Sequence, residues 1–122
     1  MFELNAKGGW VVPARTKIPD ETVIPDFSEI GDGCTLGYGC TLGNFCTLGE
    51  NTSWLNTTVK SWLTLANVDG SGRQIKIVRG TDNQIKIEAG CFIGTLEEFL
   101  AKAKGENKLR YVSIIGAIAE HI

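Results

Sequence analysis

A single histidine, His121, and four cysteines carry most of the nucleophilic or metal-binding chemistry open to this 122-residue chain. Cys34, Cys40 and Cys46 stand six residues apart, whereas zinc motifs place paired ligands roughly two to four residues apart. Thr16, Thr22, Ser28, Thr52 and Thr58 occupy the same position in the pattern. The three cysteines are therefore read as small interior side chains, and Cys91 with them. A hydroxyl-activating base would have to be His121, next to the last residue, and a three-histidine zinc site has only this one ligand. No metal, cofactor or catalytic residue is expected. Gly31 and Gly33, like Gly37 and Gly39, do not complete a G-x-G-x-x-G loop and read as corner glycines. What remains is cationic. Lys76 and Lys86 take equivalent places in two similar segments, with Arg73, Arg79 and Arg110 as candidate neighbours. Together they suggest a pocket for a small anion such as a nucleotide; the alternative is a solvated sheet face.

The elements that must position these groups follow from a six-residue period. Ile18, Ile24, Ile30, Leu36, Leu42, Leu48 and Trp54 are each six apart, with a small residue two positions before and Gly or Pro after the first six. Inward, outward, inward alternation suits a short strand, and Gly or Pro supplies the corner. A chain that turns in one sense after every strand stacks its units and buries one aliphatic in each. This pattern, from Thr16 to Thr58, resembles the hexapeptide-repeat, left-handed parallel β-helix proteins, and covers 43 residues. The resemblance implies three units per coil, and so stacking of residues 18 apart. Ile18 should lie on Leu36 and Trp54, Ile24 on Leu42, and Ile30 on Leu48.

Outward residues then sort by face: Lys17, Thr35 and Ser53; Val23, Thr41 and Val59; Glu29 and Thr47. Only the second is largely apolar, and its corner stacks Phe27 on Phe45. A column of exposed apolar groups suggests a covered surface. The cover is either the C-terminal part of the same chain or a second copy. Because members of the resembled family are usually homotrimers, Val23, Phe27, Thr41, Phe45 and Val59 are assigned to a subunit interface.

Three segments are expected. Residues 1–15 cap the open end of the coil through Phe2, Leu4, Trp10, Val11 and Val12. Residues 16–60 form the β-helix of about 2.5 coils. Residues 61–122 form a small antiparallel β-meander with one α-helix over 95–104. In the meander, Trp62–Val68 is a strand, Asp69–Gly72 a turn, and Ile75, Ile77, Ile85 and Ile87 share one face. Thr95 and Glu98 form a capping box, Gly105 stops the helix, and Arg110–Ile115 reads as a final strand. The expected class is thus mainly β.

The net charge of −2 favours neither nucleic acid nor an anionic membrane. The first 57 residues carry three basic and seven acidic side chains, against nine and seven after them, so an anion would meet the second half. Met1–Leu4 lacks a basic leader and no apolar run reaches membrane-spanning length, which leads us to expect a cytoplasmic protein. Ala89–Phe99 is similar to a module of small bacteriophage proteins. That resemblance implies a bacterial host and an accessory role, inhibiting a host defence protein or sequestering a small nucleotide. A hexapeptide acyltransferase-like enzyme and a structural virion or trimerisation module are the alternatives.

Overall fold

The computed structural model describes residues 2–68, 70 and 72–122, which divide into two compact units, Met1–Val59 and Lys60–Ile122. The class is mainly β. The first unit opens with β1 (Glu3–Leu4) and β2 (Trp10–Val12), followed by β3 (Lys17–Ile18), β4 (Val23–Ile24) and β5 (Glu29–Ile30). Next come β6 (Thr35–Leu36), β7 (Thr41–Leu42), β8 (Thr47–Leu48) and β9 (Ser53–Trp54). From β2 onward the chain visits three parallel ladders in turn: β2-β5-β8, β3-β6-β9 and β4-β7. Each ladder advances by 18 residues, pairing Ile18 with Leu36, Ile24 with Leu42, and Ile30 with Leu48. The aliphatics point inward and are buried, Leu48 half so, while Lys17, Val23, Glu29 and Thr35 before them are exposed.

The corners explain the sequence period. Three residues after each aliphatic the backbone is left-handed, with φ near +60° at Arg15, Glu21, Phe27, Phe45 and Asn51. In the upper layer the first corner residue must be glycine. A Cβ at Gly43 would lie 2.5 Å from the Asp26 nitrogen, and Gly31, Gly37 and Gly49 face the same crowding. Pro13, Pro19 and Pro25 occupy this position in the lower layer. The hydroxyls and thiols of the small position also find partners there. Thr22 Oγ1 donates to the Pro19 carbonyl (2.7 Å), and Cys40 Sγ, one layer on, donates to the same oxygen (3.2 Å). Asp20, Asp26 and Asp32 each accept a hydrogen bond from the backbone 18 residues on.

Two expectations at the ends of this unit change. Val11 and Val12, assigned to the cap, are in register with Glu29 and Ile30, so the repeat starts one unit earlier. Leu4, also assigned to the cap, is exposed. At the other end, Leu55 and Asn56 both have positive φ, the geometry of a two-residue type I′ hairpin. The hairpin reverses the chain into β10 (Thr57–Ala66), antiparallel to β9. Val59 therefore leaves the column assigned to it; its N–H bonds to the Thr52 carbonyl (2.9 Å) instead of stacking on Thr41.

The second unit adds β11 (Gln74–Gly80), β12 (Ile85–Ala89) and β13 (Phe92–Thr95), in the sheet order β10-β11-β12-β13. Of the expected Asp69–Gly72 turn, Asp69 and Ser71 lie outside the described residues. Asn67 organises the rest, its side chain accepting from Gly72 N–H at 2.7 Å. One sheet face packs Ile75, Ile77, Ile87 and Ala89 against two helices, α1 (Leu96–Gly105) and α2 (Leu109–Ala119). The second helix replaces the strand expected at Arg110–Ile115. The β-branched run suggested a strand, but Tyr111, Ile115 and Ala119 recur every four residues and bury one helical face. Packing overrides local preference here.

Thr95 caps α1 in the expected box with Glu98. Gly105 belongs to the helix, and the stop lies at Asn107, with φ +58°. Asn107 and Lys108 N–H groups close on the Lys104 and Ala103 carbonyls, a Schellman pattern. The hydrogen bond from Thr95 N–H, and that with the Thr95 hydroxyl, hold the Glu98 carboxyl below its ordinary value of 4.5. Its contribution is present above that value and lost as pH falls through the lowered one. Acidification should accordingly lower the amide protection factors, taken relative to the intrinsic exchange rate at each pH, in the first turn of α1, and Glu98→Gln should remove that pH dependence.

Candidate functional site

Corner and strand geometry pair four of the five assigned interface residues, two on one ladder and two at the corner that follows it. Val23 and Thr41 are register partners on the β4-β7 ladder, and Val23 is 69% exposed. Phe27 and Phe45 stack with centroids 5.2 Å apart and planes 8° from parallel. Phe45 is 79% exposed, and both rings sit on left-handed residues. A bulky side chain is uncommon in that conformation, which costs about 1–3 kcal/mol in non-glycine residues. Gly33 and Gly39 occupy the same corner position elsewhere. Folding alone gives little reason for an exposed Phe45 stacked on a half-buried Phe27 there. The Lys7 ammonium lies 5.0 Å from the Phe27 ring centre, on a rim that also carries Glu29. Asn5 ties that rim down, donating to the Phe27 carbonyl (2.7 Å) and to Glu29 Oε2 (2.9 Å).

The five basic residues do not converge. Antiparallel pairing sets Lys76 opposite Glu88 and Lys86 opposite Val78, so two like sequences fall out of step. Lys76 Nζ is 3.3 Å from Glu88 Oε1, and both side chains are buried. The sheet face expected to be solvated is thus closed at Lys76, Val78 and Glu88. Arg79 donates to the carbonyls of Asn83, Ala119 and Ile122, anchoring the end of α2. Arg73 lines a recess of about 30 Å³ with Lys102 and Lys108, and Arg110 is exposed in the first turn of α2.

No protein-family model, curated protein or solved structure matches this chain.

Among the described residues no group of three His, Cys, Asp or Glu side chains could hold a metal ion. Cys34 and Cys40 are buried, whereas Cys91, expected inside, is exposed. Cys46 is half-buried, and burial pushes its thiol up despite hydrogen bonds with Ser28, the wrong direction for a nucleophile. His121 is exposed beyond α2. No described helix is long and apolar enough to cross a membrane.

One concave region was not foreseen. A cleft of about 520 Å³ lies where the β3-β6-β9 ladder meets the Leu55–Asn56 hairpin. Its only advance sign was the loss of the period after Trp54, which marks an irregular edge but not what lines it.

Proposed function

We propose that the chain is a non-enzymatic assembly protein. Its repeat region is a short left-handed parallel β-helix that packs side by side with further copies, three to a ring. The observation that carries this reading is Phe45, stacked on Phe27, exposed, and held in a conformation unfavourable for a bulky residue. The resemblance to hexapeptide-repeat proteins supports both the hand of the winding and the trimer.

A second copy fits this face better than a foreign partner. The Val23–Thr41 ladder has no charged outward residue, while the other two carry Lys17 and Glu29. On its rim, Lys7 and Glu29 have opposite signs, so a rotated copy offers each a complement. A nucleotide role for the basic set is not part of the proposal, because Glu88 engages Lys76 and backbone carbonyls engage Arg79.

Light scattering at micromolar concentration is expected to give three times the 13.2 kDa of one chain. Phe45→Glu should yield a monomer with an unchanged circular dichroism spectrum, since the ring is exposed. A wild-type monomer, or a Phe45→Glu variant that stays trimeric, would overturn the reading.

A further inference from the structure

The cleft beside the hairpin has walls of a definite chemistry. Its inner wall is a rank of hydroxyls. Thr35 pairs with Ser53, and Ser53 with Thr58, so three outward side chains lie on adjacent strands of one ladder. Adjacent strands are about 4.8 Å apart, which sets the spacing along that rank. Corner residues also line the cleft. Asp20 accepts the Tyr38 backbone N–H at 2.9 Å, and Tyr38 itself is 42% exposed. Asn56, 18 residues beyond Tyr38 and exposed, adds a carboxamide. Trp54, 1% exposed, also borders the cleft.

Among the described residues, the side chains lining this cleft include no Lys, Arg or His, and Asp20 is the one carboxylate. Phosphates and other anions meet no cationic side chain there among the described residues, and the Asp20 carboxylate disfavours them. Hydroxyls and a carboxamide both donate and accept, which matches a ligand whose own groups do both. An exposed ring next to them gives a flat apolar surface for C–H groups, as ligand sites combine few polar anchors with apolar contact. The volume lies in the range of small-molecule sites. We propose that this cleft binds a neutral carbohydrate, with Tyr38 under a sugar face and Asp20, Asn56 and the Thr35–Ser53–Thr58 rank taking its hydroxyls. None of these residues belongs to the Phe27–Phe45 surface, so the site stands or falls separately from the trimer.

The test is a titration of the full chain with maltotriose, cellotriose and N-acetylchitotriose, read by amide chemical shifts and tryptophan fluorescence. At least one is expected to give saturable shifts clustered at Thr35, Tyr38, Ser53 and Asn56. Tyr38→Ala should weaken that binding tenfold or more, and Tyr38→Phe much less. Thr35→Val, isosteric and on an exposed residue, should also weaken it with the fold intact. Absence of saturable shifts with all three sugars would overturn the proposal. So would shifts centred elsewhere, or affinity unchanged in both Tyr38→Ala and Thr35→Val.

Discussion

Replacing Glu88 by alanine is expected to cost about 3–5 kcal/mol of stability, because it leaves the Lys76 ammonium buried without its carboxylate. The pair joins facing residues of β11 and β12, and the side chains are only 7% and 1% exposed. An ammonium there cannot recover its hydration without opening the sheet. The pair itself adds little net stability, since two charges had to be dehydrated to form it. The double variant Lys76→Met with Glu88→Leu should therefore recover most of the loss. Urea unfolding followed by amide exchange in β11 and β12 checks both halves. A loss below about 1 kcal/mol for Glu88→Ala would mean that water reaches Lys76.

The second large effect belongs to the first unit. Gly43→Ala places a methyl 2.5 Å from the Asp26 nitrogen and 2.6 Å from the Pro25 carbonyl carbon. Those atoms are backbone and cannot rotate away. The layers must separate where Gly43 N–H bonds the Ile24 carbonyl at 2.9 Å. Overpacking of this kind costs about 1–3 kcal/mol, and the rigid neighbours point to the upper end. Gly105→Ala is the control. A Cβ there meets nothing, and alanine in a helix is preferred to glycine by about 0.5–1 kcal/mol, so that variant should stabilise. Thermal unfolding of the two variants should shift in opposite directions. Equal shifts would show that the corner spacing is not what the glycines preserve.

Much of the first unit was legible because its period is short and its chemistry local. A buried aliphatic every six residues with Gly or Pro behind it dictates the strand spacing, whereas the 18-residue pairing of Ile24 with Leu42 was implied by the family resemblance. The ends were not legible. Trp10-Val11-Val12-Pro13 obeys the pattern, but Trp10 stands where other units have Ser, Thr or Cys. Trp54 continues the series, yet Leu55 and Asn56 turn the chain back. Turn and continuation differ there by the φ of two residues, which burial of Leu55 helps decide. In the second unit the Thr95–Glu98 box announced α1, whereas α2 has no side-chain cap. Its run of Val112, Ile114 and Ile115 suits strand or helix until a neighbouring helix selects one face.

The candidate sites divide in the same way. The Phe27–Phe45 stack could be anticipated once the resemblance supplied an advance of 18 residues, since two aromatics that far apart on such a repeat must meet. The basic cluster could not, because sequence likeness between Arg73–Gly80 and Asn83–Gly90 carries no information on register. The amino-acid pattern alone determined the strand period, the inward aliphatics and the exposed aromatic corner, all consequences of contacts that recur at one fixed interval. Tertiary structure alone decided that Lys76 meets Glu88, that Val59 leaves its column, and that Tyr38 lines one cleft with Thr35, Ser53 and Thr58. Each of these depends on how a strand returns past its neighbour, and that is settled by turns and packing whose energies are shared among distant residues.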